Sequence, residues 1–467
     1  MTNYKVLLIH PKKAGTSLVQ DSMKYPPLGI ATLASVLREK GITPFIFDAN
    51  VEKPNHSERI SKIVEKQQID AVGISFTTFL AGAAYDLADM LKITFPKLPI
   101  IAGGYHPTVM SEEVMAHSSI DFAVIGEGEI TFPLLLACLQ ADSSPETVAG
   151  LCFRSHGKIV HTHKRPLLTK LDDVPIPAYE LLRLDGYTSL TSTRKPFVTF
   201  IRSRGCFFNC LFCGVSALFS HRYRCQSPER TVKDTLYLSK TLKIREIQFK
   251  DSEFLLDRRN VEEFCRLLIK EHLDLVWSCS ARVDKVDRDI LELMKRAGCK
   301  RITYGIESGS ERMLGVLRKH FTINQVVEAV KCTKDLGLEC VAGFIIGTPG
   351  EDWTTINQTI NLLKSLRLDY ASFQFLTAFP GSDLYAEAVQ NKWFLTTEHN
   401  RGYEEPNINA TNLTDIELKK AMRMMIRSFY FTPSFILSRF RKMTIRQLRN
   451  SIVGAFALVA KLVKSSK

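Results

Sequence analysis

The stretch RGCFFNCLFC, residues 204–213, sets Cys206, Cys210 and Cys213 in the spacing C-x3-C-x2-C, with Phe212 directly before the last thiol. Thiolates gathered on one short loop suit an iron–sulfur cluster. A [4Fe–4S] cluster held by three protein ligands keeps one iron open for a substrate or cofactor, and aromatic neighbours shield it from water and oxygen. The competing chemistry is structural zinc, which needs four ligands. Cys225 would be the fourth, in C-x3-C-x2-C-x11-C, but zinc sites usually pair two C-x2-C knuckles and no second pair exists. The remaining cysteines are scattered and apolar-flanked, as Cys279 and Cys340 are, and read as small core residues.

Two series of strands and helices must position this loop. Over residues 1–140, apolar runs at 5–11, 43–49, 70–75, 98–104 and 122–128 alternate with helical patterns at 27–41, 56–68, 80–94 and 130–140. Crossovers of that length predict an α/β, doubly wound, flavodoxin- or Rossmann-like parallel sheet with its ligand site at the carboxyl ends of the strands. Residues 141–194 read as a short hairpin and a proline-rich linker. A second βα series fills 195–390, with strands near 197–203, 245–250, 275–281, 300–306, 340–347 and 371–377. Six units predict a partial (β/α)6, TIM-like barrel rather than a closed eight-fold one. Residues 391–467 become a helical and basic C-terminal region.

The 467 residues are 45% hydrophobic and 24% charged, an ordinary globular composition that excludes a disordered or collagenous chain. Eleven cysteines are too sparse for a disulfide scaffold. The opening MTNYKVLLIHP enters a strand without a basic leader, and no uncharged apolar run reaches the ~20 residues of a spanning helix. A cytoplasmic, reducing compartment is expected. The formal charge of +13 favours acidic partners.

CFFNCLFC resembles the signature of the radical S-adenosylmethionine (SAM) enzymes, C-x3-C-x-aromatic-C. Further motifs at the strand ends of the second series are similar to those of this family. The resemblance implies that SAM lies on the open iron, with Asp251 of FKDSEF near its amino group and Glu253 a weaker match. Arg282 of SARVD would clamp its carboxylate. Glu307 and Ser308 of YGIESGS would meet the methionine or ribose portion, and Gly347 of GFIIGTPGE would frame the adenine. FPGSDLY (379–385) resembles the turn after the sixth strand.

The first domain resembles the cobalamin-binding domain joined to one branch of these enzymes. The resemblance implies that Ser75, Thr78, Gly103, Gly104, Gly126 and Glu127 contact the nucleotide tail. The common D-x-H-x-x-G after the first strand is absent, so the lower axial ligand stays open; His10 and His106 read as ordinary loop histidines.

The function so implied is a cobalamin-dependent radical SAM enzyme methylating an unactivated carbon of a small or hydrophobic metabolite. An electron donor such as flavodoxin or ferredoxin would serve it. One rival is oxidative cyclisation or rearrangement without methyl transfer. A transfer RNA methylthiotransferase would suit the charge, but it carries three more cluster cysteines in its first domain, where this chain has only Cys138. Nucleic acid is therefore not an expected partner. A cobalamin sensor with an inert barrel is opposed by the intact cysteine loop. In the tail, Phe429, Phe431, Phe435, Ile436 and Phe440, with Arg427, Arg439, Arg441 and Lys442, read either as a lid on the barrel or as a peripheral membrane contact.

Overall fold

The apolar runs fold as strands because the helices between them cover both faces of the sheet they form. The computed structural model describes residues 4–12, 23–395, 405–433 and 435. The first domain runs β1 (Lys5–His10), α1 (Leu28–Glu39), β2 (Thr43–Asp48), α2 (His56–Gln67), β3 (Ala71–Ser75), α3 (Ala81–Thr94) and β4 (Ile100–Gly103). It continues through two short helices, α4 (Tyr105–Val109) and α5 (Ser111–Ala116), then β5 (Phe122–Val124) and α6 (Gly128–Gln140). The sheet order is β2-β1-β3-β4-β5, all parallel. Val6 to Ile9 are wholly buried, as a parallel strand covered on both faces requires. The hairpin β6 (Leu151–Ser155) and β7 (Lys158–His161) does not float in the linker. It pairs antiparallel onto β5 and extends the sheet to seven strands.

The second domain opens with β8 (Phe197–Phe200) and a small excursion: β9 (Ser203–Arg204), α7 (Val215–Phe219) and β10 (Arg224–Cys225). Then come α8 (Pro228–Leu236), β11 (Glu246–Phe249), α9 (Arg258–Lys270), β12 (Val276–Ala281), α10 (Arg288–Arg296) and β13 (Cys299–Glu307). The rest is α11 (Glu311–Val316), α12 (Ile323–Asp335), β14 (Glu339–Ile346), α13 (Trp353–Ser365), β15 (Tyr370–Phe375), α14 (Asp383–Gln390) and α15 (Asp415–Tyr430). The six long strands form one parallel sheet in the order β8-β11-β12-β13-β14-β15, a half-barrel. Capping boxes, Thr322 with Gln325, Asp352 with Thr355 and Thr414 with Glu417, fix where α12, α13 and α15 begin.

The faces of this sheet differ. Val198, Ile247, Trp277, Ile302, Cys340 and Phe373 belong to the core under the helices. The register sets Thr199, Gln248, Ser278, Ser280, Thr303, Gly343 and Ser372 on the opposite, inner face. Parity explains both, because a strand's side chains alternate.

α15 closes the outer side of the barrel. Leu418, Met422, Met425 and Phe429 are buried in the barrel core, Phe435 packs against it, and the Tyr430 hydroxyl donates to the Ala371 carbonyl at 2.5 Å. The described part of the tail is thus a brace on the barrel, with Phe431 left 49% exposed. Ile436, Arg439, Phe440, Arg441 and Lys442 lie outside the described residues. Among the described residues no helix is long and apolar enough to cross a membrane.

Candidate functional site

The cysteine loop is tied down on several sides. Gly205 has φ +86°, and a Cβ there would stand 1.9 Å from the Arg222 carbonyl oxygen, so only glycine fits between Arg204 and Cys206. The Cys213 amide donates to the Cys210 carbonyl at 3.0 Å. Leu211 is buried, its amide bonded to Leu317 and its carbonyl to the Leu384 amide. Burial, with the charges of Cys213 and Cys210 alongside, pushes the Cys206 thiol up to about 11. Burial also raises Cys213, against the pull of Lys319. The raised thiols of Cys206 and Cys213 suit a cationic iron–sulfur centre, which would stabilise their thiolates. Among the described residues no three His, Cys, Asp or Glu side chains converge as round a single ion. Cys225 stands apart: its sulfur faces the Asn260 amide at 3.5 Å and its charged neighbours are Arg202, Asp257 and Asp251.

Charged side chains beyond the carboxyl ends of β11, β12 and β13 lie beside this loop. Glu253 is buried beside Cys206 and Arg282, and burial pushes its carboxyl up to about 7. Arg282 lies under the Phe208 ring, 3.7 Å from its centroid, and its Nε donates to Asp284 at 2.8 Å. Its NH1 is buried without a partner. Glu307, at φ +68°, turns its carboxylate to the buried Lys319 ammonium at 3.0 Å. Burial opposes charge on Lys319, but Glu307 and Cys210 outweigh it and hold its pKa above the ordinary value. Glycines leave room for Glu307. A Cβ on Gly305 would meet its Oε1 at 2.4 Å, and one on Gly343 its Oε2 at 3.9 Å.

Three other expected SAM contacts are turned elsewhere. Asp251 is bonded by the Ser203 hydroxyl and lies 3.8 Å from the Nε of the fully buried Arg202, and burial raises its pKa against that charge. Its Oδ2 keeps no partner. The Ser308 hydroxyl pairs with Thr359 on α13 at 3.1 Å, behind the sheet. The Gly347 amide, at φ +101°, donates to the buried Glu351 carboxylate at 2.6 Å, so Gly347 shapes a stapled turn.

A cavity of about 320 Å³ lies between the domains, bounded by Ser75, Gly103, Gly104, Gly126 and Glu127 on one side and by residues 200–204 and Lys250 on the other. Added Cβ atoms on Gly103 or Gly126 would meet nothing within 4 Å, so these two strand ends leave open space that a large ligand can fill. Gly104 is different: at φ +99° its Cβ would press on the Phe76 carbonyl at 2.9 Å. Thr78 is not part of the cavity wall; its hydroxyl bonds His106 Nδ1 at 3.2 Å. His106 is wholly buried between Thr78 and Tyr85 rather than on a loop surface. His10 sits at the end of β1 with its pKa lowered by burial.

Glu127 does more than line the cavity. It takes Arg204 at 2.8 Å, Arg224 at 2.9 Å and the Leu168 amide at 2.8 Å, joining the first domain to the base of the cysteine loop. Burial opposes its charge, yet the two guanidiniums hold its carboxyl below the ordinary value. A second join lies across the cavity. The Tyr105 hydroxyl donates to the Pro380 carbonyl at 2.7 Å and packs so closely on Gly214 that no side chain fits there.

Sequence reasoning missed Lys319, Arg204, Arg224 and the second role of Glu127. The run RSRGC held the only local signal, two basic residues leading into the first cysteine.

Residues 200–363 match the Radical SAM superfamily and residues 19–136 the B12 binding domain. An uncharacterized methyltransferase of Pyrococcus horikoshii is 34% identical over 93% of this chain and 94% of its own length. An anaerobic magnesium-protoporphyrin IX monomethyl ester cyclase of Rubrivivax gelatinosus is 27% identical over 94% of this chain and 79% of its own. Among solved structures, the cobalamin-dependent SAM radical enzyme OxsB with aqua-cobalamin and SAM bound superposes with a TM-score of 0.75 at 18% identity, covering 99% of this chain and 72% of that one. The thiol loop at the mouth of the half-barrel and the glycine-ended sheet above it are thus matched together along nearly the whole chain, which belongs to the radical SAM enzymes that carry a B12-binding domain.

Proposed function

We propose that this chain methylates an unactivated carbon of a small metabolite. The observation that carries this reading is the cavity where the glycine-ended strands of the first domain face the entry to the cysteine loop. When bound, the cluster and SAM supply a hydrogen-abstracting adenosyl radical, and cobalamin supplies the methyl group.

The chain's residues divide the remaining work. Cys206, Cys210 and Cys213 would hold the cluster. The carboxyl of Glu253 would accept from the ammonium of SAM, and the NH1 of Arg282, buried without a partner, would donate to its carboxylate. Phe208 shields the loop while fixing the Arg282 guanidinium beneath it. Lys319 places a buried positive charge beside thiolates that would otherwise repel one another, and Glu307 holds that lysine in place. Asp251, Ser308 and Gly347 act by holding Arg202, α13 and the 347–351 turn, and Asp251 keeps one free oxygen for a donor. Ser75, Gly103, Gly104 and Gly126 would admit cobalamin, with Thr78 one layer behind. Phe207, 51% exposed and tilted against Phe208 with centroids 4.9 Å apart, offers a route for an electron from a donor such as flavodoxin or ferredoxin.

The second reading keeps the same sites but transfers no methyl, and the similarity to a cyclase favours keeping it. Anaerobic turnover with methyl-labelled SAM decides. A product heavier by one labelled methyl supports the methylase; an unlabelled product that has lost hydrogen supports the cyclase.

A further inference from the structure

The inner face of the half-barrel carries a cation, Lys250, at the barrel-side wall of the cavity between the domains, with no part in the cofactor contacts described above. β11 sends every second side chain inward: Glu246, Gln248 and, one step beyond the strand, Lys250. The first two are satisfied. Glu246 accepts the Thr193 and Arg194 amides at 2.7 and 2.9 Å, and Gln248 donates to Ser189 and Glu246. The other inward cation, Arg301, is paired with Glu339 at 2.5 Å. Among the described residues no carboxylate forms an ion pair with Lys250. Its ammonium rests over the Tyr25 ring, 4.4 Å from the centroid, and it forms part of the wall of the cavity between the domains.

We propose that Lys250 receives an oxyanion, phosphate or carboxylate, of the substrate, so that the barrel takes a small anionic metabolite rather than a hydrocarbon. This rests on the reading of the barrel as a small-molecule enzyme. The physical case is one of an unpaid charge. A lysine among protein groups, beside Arg301 and without an anion, is held in an unfavourable state, and its pKa lies below the ordinary value from burial and then from Arg301. An arriving anion removes that penalty. The surrounding inner face suits a polar molecule, since Ser278, Ser280, Thr303 and Ser372 present hydroxyls on it. Tyr25, bonded to Ser189 at 3.3 Å, holds the ammonium from one side by a cation–π contact.

The test uses the full chain carrying its cluster and cobalamin, dialysed to equilibrium against labelled inorganic phosphate and, separately, labelled acetate. Iron and corrin contents are measured on the same samples, and no turnover is involved, so failure of the methylase reading leaves this result interpretable. A charge-assisted contact is worth ~1.5–3 kcal/mol, so K250A should bind the preferred anion at least about tenfold more weakly, with K250R recovering most of the loss. Whichever probe shows the larger drop identifies the group. Equal binding by all three proteins, no binding by the unaltered chain, or loss of corrin from K250A with anion binding intact would overturn the proposal; the last would assign Lys250 to the corrin.

Discussion

The two parallel sheets end in opposite ways. The first domain finishes its strands on backbone and empty space, at Ser75, Gly103 and Gly126. The half-barrel finishes its strands on buried, titratable side chains: Glu253 beside Arg282, and Glu307 bonded to Lys319. A large, mostly neutral ligand such as cobalamin needs room and backbone donors. A zwitterion such as SAM, resting on a cluster held by thiolates, needs placed charges. One fold principle, ligands at strand carboxyl ends, thus serves two chemistries through the residues chosen for those ends.

Breaking the charged end should have the largest effect. Ala at Cys206, Cys210 or Cys213 should abolish iron binding and reductive cleavage of SAM, read as iron content and 5′-deoxyadenosine release. Cys225→Ser should retain the iron, because its sulfur faces Asn260 and not the other thiols. Breaking the open end should be selective. Gly103→Leu adds a side chain where nothing stands within 4 Å, so it should fill the cavity and remove corrin absorbance at unchanged iron content and fold. Gly104→Val sharpens the contrast. At φ +99° and 2.9 Å from the Phe76 carbonyl it should strain the loop itself and lower Tm.

The brace gives a control outside both ends. Phe429→Ala removes a buried ring from the barrel core and should cost ~3–5 kcal/mol in denaturant unfolding, with the loss seen in stability rather than in cofactor content. The smallest effect concerns the latch between the sheets. Glu127 has its carboxyl held below the ordinary 4.5 by Arg224 and Arg204, against the opposing effect of burial. A depressed folded pKa stabilises above the unfolded value, and that contribution disappears as pH falls through the folded value. Thermal unfolding followed from pH 6 downward should therefore show an acid-side loss starting below about 4.5, and Glu127→Gln should flatten that part of the curve.

The strands were legible in number and order because parallel strands buried on both faces read as unbroken apolar runs, as KVLLIH does at β1. The cysteine loop was legible because its three thiols lie within eight residues of sequence. The charged ends were legible only in part. After β11 the chain leaves regular geometry, so alternation no longer says which acid turns inward. The reading favoured Asp251, whereas the fold spends most of Asp251 on Ser203 and Arg202 and sets Glu253 beside Cys206. Ser308 and Thr78 were placed at the right strand ends, but their hydroxyls bond Thr359 and His106. Lys319 meets Glu307 only because α11 folds back between them, and Glu127 meets Arg204 and Arg224 only across the domain join. Such pairings depend on tertiary contacts that no local spacing encodes.

The central claim is that one chain loads two cofactors at two separable sites. The direct measurement is iron and cobalamin content after anaerobic reconstitution of the unaltered protein, Cys206→Ala and Gly103→Leu. The account predicts one four-iron cluster and one corrin per unaltered chain, corrin without iron in the cysteine variant, and iron without corrin in the glycine variant. Stoichiometric zinc lost with Cys225, or an unaltered chain that binds no cobalamin under any condition, would contradict it.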